Sequence, residues 1–231
     1  MVSDKKRGHG PNMNYFAHGY LYIDRPWFLA GTALPDWLNV VDRRVRVRKD
    51  QASRFITDSD SQVAELASGI VQHHHDDHWF HTTAVFTQLS LFLTQEIRYI
   101  LPADTSWRPS FLGHIAIELL LDSALINRDP ARLDAFYTAI GRIDAEQLET
   151  AVNRIARRPV AGLADWIGIF LNERFLYDYT EDEKLFKRLN QVMRRVGLSQ
   201  IPTEFNHLLP AARSRVVERM EDMLACPAEP N

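Results

Sequence analysis

The chain of 231 residues has one cysteine, Cys226, near its C-terminal end. A single thiol excludes an intrachain disulfide and any zinc site built on several thiolates, and it fits a reducing compartment. Cys226 also falls in a stretch that reads as a tail, a poor place for a nucleophile. Glycine is sparse, with 10 residues, and no glycine-rich phosphate loop is present. No Gly-x-Ser-x-Gly elbow occurs, which removes one common serine-hydrolase arrangement. Asn-Gly and Asp-Gly turns between alternating segments are missing, so hairpins are not expected. There is no excess of basic charge: 27 Lys and Arg face 30 Asp and Glu, for a net charge of −3, which argues against a general nucleic-acid binder. There is no uninterrupted apolar span either. The most apolar stretch, Phe111 to Ile126, is broken by His114, Glu118 and Asp122, and the polar N-terminus lacks the apolar core of a signal peptide. A soluble, cytoplasmic protein without membrane or nucleic-acid partners is the expectation.

What is present is ordinary globular material, 45% hydrophobic and 25% charged, with helix punctuation throughout. Residues 1–12 read as a flexible lead-in, 13–224 as one helical domain and 225–231 as a tail. A first helix runs from Asn14 to about Tyr22. Pro26 suits a first helical position, and the apolar stretch Trp27 to Ala33 closes at Pro35-Asp36. Arg44, Arg46 and Arg48 alternate with Val45 and Val47, an extended signal within a segment that is otherwise ambiguous. Asp58-Ser-Asp-Ser61 caps a long helix, Thr82 or Thr83 starts another reaching Ile100, and Trp107 to Asn127 forms a third. Asp129-Pro130 opens the next helix. Asp144-Ala-Glu-Gln147 and Thr180-Glu-Asp-Glu183 resemble capping boxes. Pro159 separates two more helices, and Pro202 and Pro210 flank the start of the last. The expected fold is an all-α, single-domain bundle of roughly eight to ten helices.

The densest signal lies at Gly69-Ile-Val-Gln-His-His-His-Asp-Asp-His-Trp-Phe-His81, which holds five of the nine histidines. On a helix, residues four apart share a face. His73, Asp77 and His81 form one stripe, and His74, His78 and His81 form another that overlaps it at the end. Imidazole and carboxylate one turn apart on a rigid element suit a divalent ion. The plainer reading is a polar helix whose histidines only hydrogen-bond.

Three further places carry ligand-type side chains among apolar neighbours. His18 follows Tyr15, Phe16 and Ala17, and is either a core histidine or a ligand. Asp36 stands between Pro35 and Trp37, and is either an N-cap or a ligand. His114, Glu118 and Asp122 recur every four residues on a helix whose other positions are apolar. Burying three ionisable groups costs several kcal/mol unless partners or a metal compensate. Arg98, Arg108 or Arg128 could supply a salt-bridge line, and a metal is the alternative. The whole set is His and carboxylate without thiolate. It suits Mn, Fe, Ni, Zn or Mg, as one or two ions, at a hydrolytic centre where a carboxylate or histidine moves the proton.

Three segments also carry a resemblance. Asn14-Tyr-Phe-Ala-His18, Gly31-Thr-Ala-Leu-Pro-Asp36 and Gly69-Ile-Val-Gln-His73 with Asp77 resemble, in order and approximate spacing, the Asn-Phe-Leu-Ala-His, Gly-Asn-Leu-Leu-Ala-Asp and Gly-Ile-x-x-His-x-x-x-Asp motifs of acyl carrier protein phosphodiesterases. The match lies mostly before residue 82, with a weaker echo around 113–122. Thr32 stands where that family has asparagine, and His81 where it tends to have aspartate. The later pair of family aspartates corresponds to His114 and Glu118, without the histidine that follows them. The resemblance implies an all-α, HD-domain-like metal phosphohydrolase that releases phosphopantetheine from holo-acyl carrier protein. It implies His18, Asp36, His73 and Asp77 as metal ligands; beside them, His114, Glu118 and Asp122 are further candidate ligands, and Asp77, His74 and Glu118 are the candidate catalytic residues.

The expected function is therefore metal-dependent hydrolysis of a phosphodiester, with a phosphorylated small molecule or acyl carrier protein as partner. The alternatives are a non-hydrolytic metal-binding helical protein and an iron-dependent oxygenase on the same scaffold. Arg43, Arg44, Arg46, Arg48 and Lys49 form a basic patch shortly after Asp36. It reads either as a solvated face or as a surface that steers an acidic carrier or a phosphate towards the site.

Overall fold

The computed structural model describes residues 15–101 and 108–225. The expected lead-in, Asn14, the turn after Leu101, Trp107 and Cys226 lie outside those residues. Among the described residues the fold is all-α, with twelve α-helices and no strand. In chain order they are α1 (Tyr15–Gly19), α2 (Pro26–Val41), α3 (Lys49–Ala52), α4 (Ser61–Thr82), α5 (Ala84–Ile100) and α6 (Pro109–Arg128). Then come α7 (Pro130–Gly141), α8 (Ala145–Ile155), α9 (Leu163–Glu173), α10 (Asp182–Arg195), α11 (Leu209–Glu218) and α12 (Met220–Leu224). Two 3-10 segments, Phe175–Thr180 and Thr203–His207, precede α10 and α11.

The helix starts follow capping chemistry. Asp60 accepts from the Gln62 and Val63 amides to open α4, Thr83 accepts from Phe86 to open α5, and Asp129 and Asp144 accept from Arg132 and Gln147 to open α7 and α8. Each such cap is worth about 1 kcal/mol. Thr180 is a correction. Its hydroxyl turns back to the Tyr177 carbonyl (2.8 Å), and α10 starts without a side-chain cap. The first helix is also shorter than expected, ending at Gly19.

A larger correction concerns Pro35. It does not end the helix: α2 continues through it to Val41. Proline removes one backbone donor and crowds the carbonyl four residues back, here that of Gly31, at a cost of about 3 kcal/mol. The offsetting gain is the burial of Ala33, Leu34, Trp37 and Leu38, none more than 1% exposed. Asp36 is consequently an interior helical residue and not an N-cap.

Helices α2 and α4 cross at a pair of glycines. A Cβ on Gly69 would stand 2.0 Å from the Phe28 carbonyl oxygen, and one on Gly31 would stand 2.3 Å from that of Leu66. Only glycine permits backbones this close. The crossing sets the register of everything beyond it, because Gly69, His73, Asp77 and His81 follow one another at four-residue steps along α4. Behind them runs α6, buried on nearly every side from Leu112 to Ile126. It is long and apolar enough to cross a membrane by length and composition alone, but 78% of that stretch is buried against the rest of the chain. Helices α1, α5, α7, α10 and α11 pack around it.

Candidate metal centre

Polar side chains of α2, α4 and α6 come near one another beyond the glycine crossing. From α2 comes Asp36, 0% exposed. Neither of its oxygens has a hydrogen-bond partner among the described residues. Burial pushes its carboxyl well above the usual range, and the charges of Glu118, Asp77 and Asp122 push it further. One turn before it, the Thr32 carbonyl faces His73 Nδ1 at 2.8 Å. Donation from Nδ1 fixes the tautomer and leaves Nε2 as the nitrogen able to take a further partner. Burial, then the proximity of His18 and His74, holds the His73 pKa well below the usual value, so the ring is neutral, the form that ligates metals. The His18 ring stands 4.3 Å from that of His73, centroid to centroid, and its Nδ1 is 3.8 Å from Asp76.

Further along α4, the His81 ring reaches two carboxylates. Nδ1 lies 3.1 Å from Asp77 and Nε2 lies 2.9 Å from Glu118. His114 Nε2 meets the same Glu118 oxygen at 3.0 Å. Burial alone raises the Glu118 carboxyl, but the hydrogen bonds and charges of His114 and His81 outweigh it and hold it down to about 2. Burial lowers the His114 ring, and its bond to Glu118 with the charges of Glu118 and Asp77 overcomes this and raises it. Phe86 of α5 packs against both rings, with centroids 4.7 Å from His81 and 4.9 Å from His114. The ligating atoms of His81, His114 and Glu118 lie within 4.8 Å of one another, close enough to share one ion. The second Glu118 oxygen is buried and, among the described residues, has no partner.

Of the residues singled out in the sequence, His18 and His73 are brought together, as are Asp77, His114 and Glu118, while Asp36 lies among the carboxylates. Asp122 is placed differently. Its two oxygens accept from the amides of Phe16 (3.1 Å) and Ala17 (2.8 Å), so it anchors α1 and with it His18. Burial raises its carboxyl to about 8, against the pull of those two amides. His74 is also engaged elsewhere, with Nε2 2.7 Å from the Val47 carbonyl. The arginines that could have neutralised the α6 ladder do not do so. Arg128 pairs with Glu221 instead, and the ladder's partners are histidines and the backbone of α1. His81 was visible in the sequence as the third member of the four-residue stripe. Only the meeting of α4 with α6 makes it a partner of Glu118.

No family model, no curated protein and no solved structure matches the chain.

The donor set fits a divalent cation on two grounds. Its chemistry is imidazole and carboxylate, suited to Mn, Fe, Ni, Zn or Mg. Its electrostatics are unbalanced, because Asp36 and one Glu118 oxygen are buried carboxylate oxygens without donors among the described residues, where each would be costly without a cation.

Proposed function

We propose that the chain is a metal-dependent phosphohydrolase acting on a phosphodiester. The observation that carries the reading is Asp36: a wholly buried carboxyl without a hydrogen-bond donor among the described residues, beside two more carboxylates that face histidines. Such a cluster is destabilising as a structural device and serviceable as a cation site. His18, Asp36, His73 and Asp77 on one side, and His81, His114 and Glu118 on the other, would hold one or two ions. A divalent ion there supplies an activated water nucleophile and neutralises charge on phosphoryl oxygens.

The chain's own side chains have distinct tasks in this reading. His73 is oriented by the Thr32 carbonyl, His18 by the hold of Asp122 on α1, and the His81 ring by the carboxylates on either side of it. Asp77 and Glu118 stand where a proton can pass to or from His81. His74, committed to the Val47 carbonyl, fastens α4 to the segment after α2 and is a weaker candidate for moving protons. The HD-domain-like assignment and the specific substrate, the phosphopantetheinyl serine of an acyl carrier protein, rest on the resemblance of the three segments around His18, Asp36 and His73.

The test is turnover of bis-p-nitrophenyl phosphate with Mn, Fe, Ni, Zn or Mg added singly, for wild type, Asp36→Asn, His73→Ala and Asp77→Ala. Activity with at least one ion, lost in all three variants while they remain folded, supports the reading. Activity that survives Asp36→Asn and His73→Ala, or no activity with any ion, overturns it. Oxygen uptake with iron would favour the oxygenase alternative.

A further inference from the structure

Between α2 and α3 the chain is extended. Val45 and Val47 are 3% exposed and turn into the core, so the alternate positions, Arg44, Arg46 and Arg48, all project outward. A second arginine pair, Arg157 and Arg158, follows α8. The two segments are fastened together by Gln51 of α3, which is buried and donates to the carbonyl of Ile155 at the end of α8. Between them lies a cavity of about 370 Å³ lined by Arg44, Arg46, Arg48, Gln51, Arg157 and Arg158.

Local carboxylates neutralise only part of this charge. Arg44 pairs with Asp42 at 2.8 Å, the same carboxylate feels the charge of Arg158, and Arg157 stands 3.8 Å from Asp50. Among the described residues, no ion pair involves Arg46, Arg48 or Arg158. Five arginines line one cavity beside only two carboxylates, Asp42 and Asp50, and the excess of like charge is repulsive. A bound anion of several charges would relieve that repulsion, and the guanidinium fork matches phosphate oxygens two at a time. Among the described residues, the wall has neither an aromatic nor an aliphatic side chain. That disfavours a protein partner, whose interface would centre on apolar anchors, and it offers no platform for a nucleobase.

We propose that this cavity binds an oligophosphate chain, the part common to inorganic polyphosphates and nucleoside polyphosphates. None of the six lining residues is a candidate metal ligand, so the proposal stands apart from the phosphohydrolase reading.

The test is calorimetric titration of the full chain, without added metal and at low ionic strength, with inorganic tripolyphosphate and separately with ATP. The expected result is similar affinity for both, within about threefold, and weakening of both by about tenfold or more in Arg46→Gln/Arg158→Gln. Raised salt should weaken binding, and Asp36→Asn should leave it unchanged. Arg158→Gln alone, in an exposed loop, should weaken binding severalfold and serves if the double variant does not fold. Unaltered affinity in the arginine variants, or loss of binding in Asp36→Asn, would overturn the proposal. So would ATP binding more than about tenfold tighter than tripolyphosphate, which would show base recognition. Tighter binding of a poly-glutamate peptide would overturn it in favour of an acidic protein partner.

Discussion

Replacing Asp36 by asparagine removes one charge with little change in volume, and the sign of its effect on stability should depend on metal. Without a cation, the wild-type carboxyl is fully buried, raised well above its ordinary value of 3.8, and repelled by Glu118, Asp77 and Asp122. An acid whose pKa is raised on folding costs stability as pH climbs above the unfolded value, and the loss grows until the folded pKa is passed. At neutral pH the carboxyl is therefore a net cost to the metal-free fold. Asp36→Asn in chelator should therefore melt above wild type, by about 2–4 °C for each kcal/mol relieved in a chain of this size. With a divalent ion at about a hundred times its Kd, wild type should gain about 2.7 kcal/mol from binding, and the variant should gain little. Thermal melts in chelator and in each metal give both readings. A variant less stable than wild type by the same margin in both conditions would refute the reasoning, because it would show that Asp36 stabilises the fold without a cation.

Gly69→Ala should be among the most damaging single substitutions. Its Cβ would meet the Phe28 carbonyl oxygen at 2.0 Å, and separating α2 from α4 should cost about 3 kcal/mol or more by denaturant titration and displace His73 from Thr32. The Glu118 carboxyl, held at about 2 against 4.5 unfolded, contributes stability in metal-free protein that is complete above pH 4.5 and disappears as pH falls towards 2. The raised His114 contributes stability that is complete below pH 6.5 and is lost as pH rises through its folded pKa. The denaturant midpoint of Glu118→Gln should accordingly lack the acid limb seen in wild type. Asp122→Ala leaves the Phe16 and Ala17 amides without their acceptor and should cost about 2 kcal/mol. Metal affinity measured by competition should also fall, although Asp122 touches no ligand directly, and Asp122→Asn should recover part of both.

The all-α class was legible because caps and prolines punctuate the chain, and most of the caps form as their residues suggest. Asp60, Thr83, Asp129 and Asp144 all accept amide protons at helix starts. Pro35 was misleading for a tertiary reason. The local preference to break a helix is outweighed by the burial of Leu34, Trp37 and Leu38, which no local rule weighs. The clustering of His and carboxylate was legible in the stripes of α4 and α6, since four-residue spacing fixes a shared face. Which side chain meets which was not. Asp122 shares its stripe with Glu118, yet it ends against the amides of α1, and His81 finds Glu118 only through the packing of α4 on α6. The arginine cavity was half visible. Alternation exposed Arg44, Arg46 and Arg48, but the contribution of Arg157 and Arg158 depends on the bond from Gln51 to Ile155, more than a hundred residues apart in sequence.

The metal content of untagged protein, measured for wild type and for His73→Ala/Asp77→Ala, decides whether this cluster holds a cation. Near-stoichiometric Mn, Fe, Ni or Zn in wild type, absent from the folded double variant, is the predicted result. Wild-type protein that retains no ion, even after reconstitution with each of them and with Mg, would contradict the account and leave the histidines of α4 as structural groups.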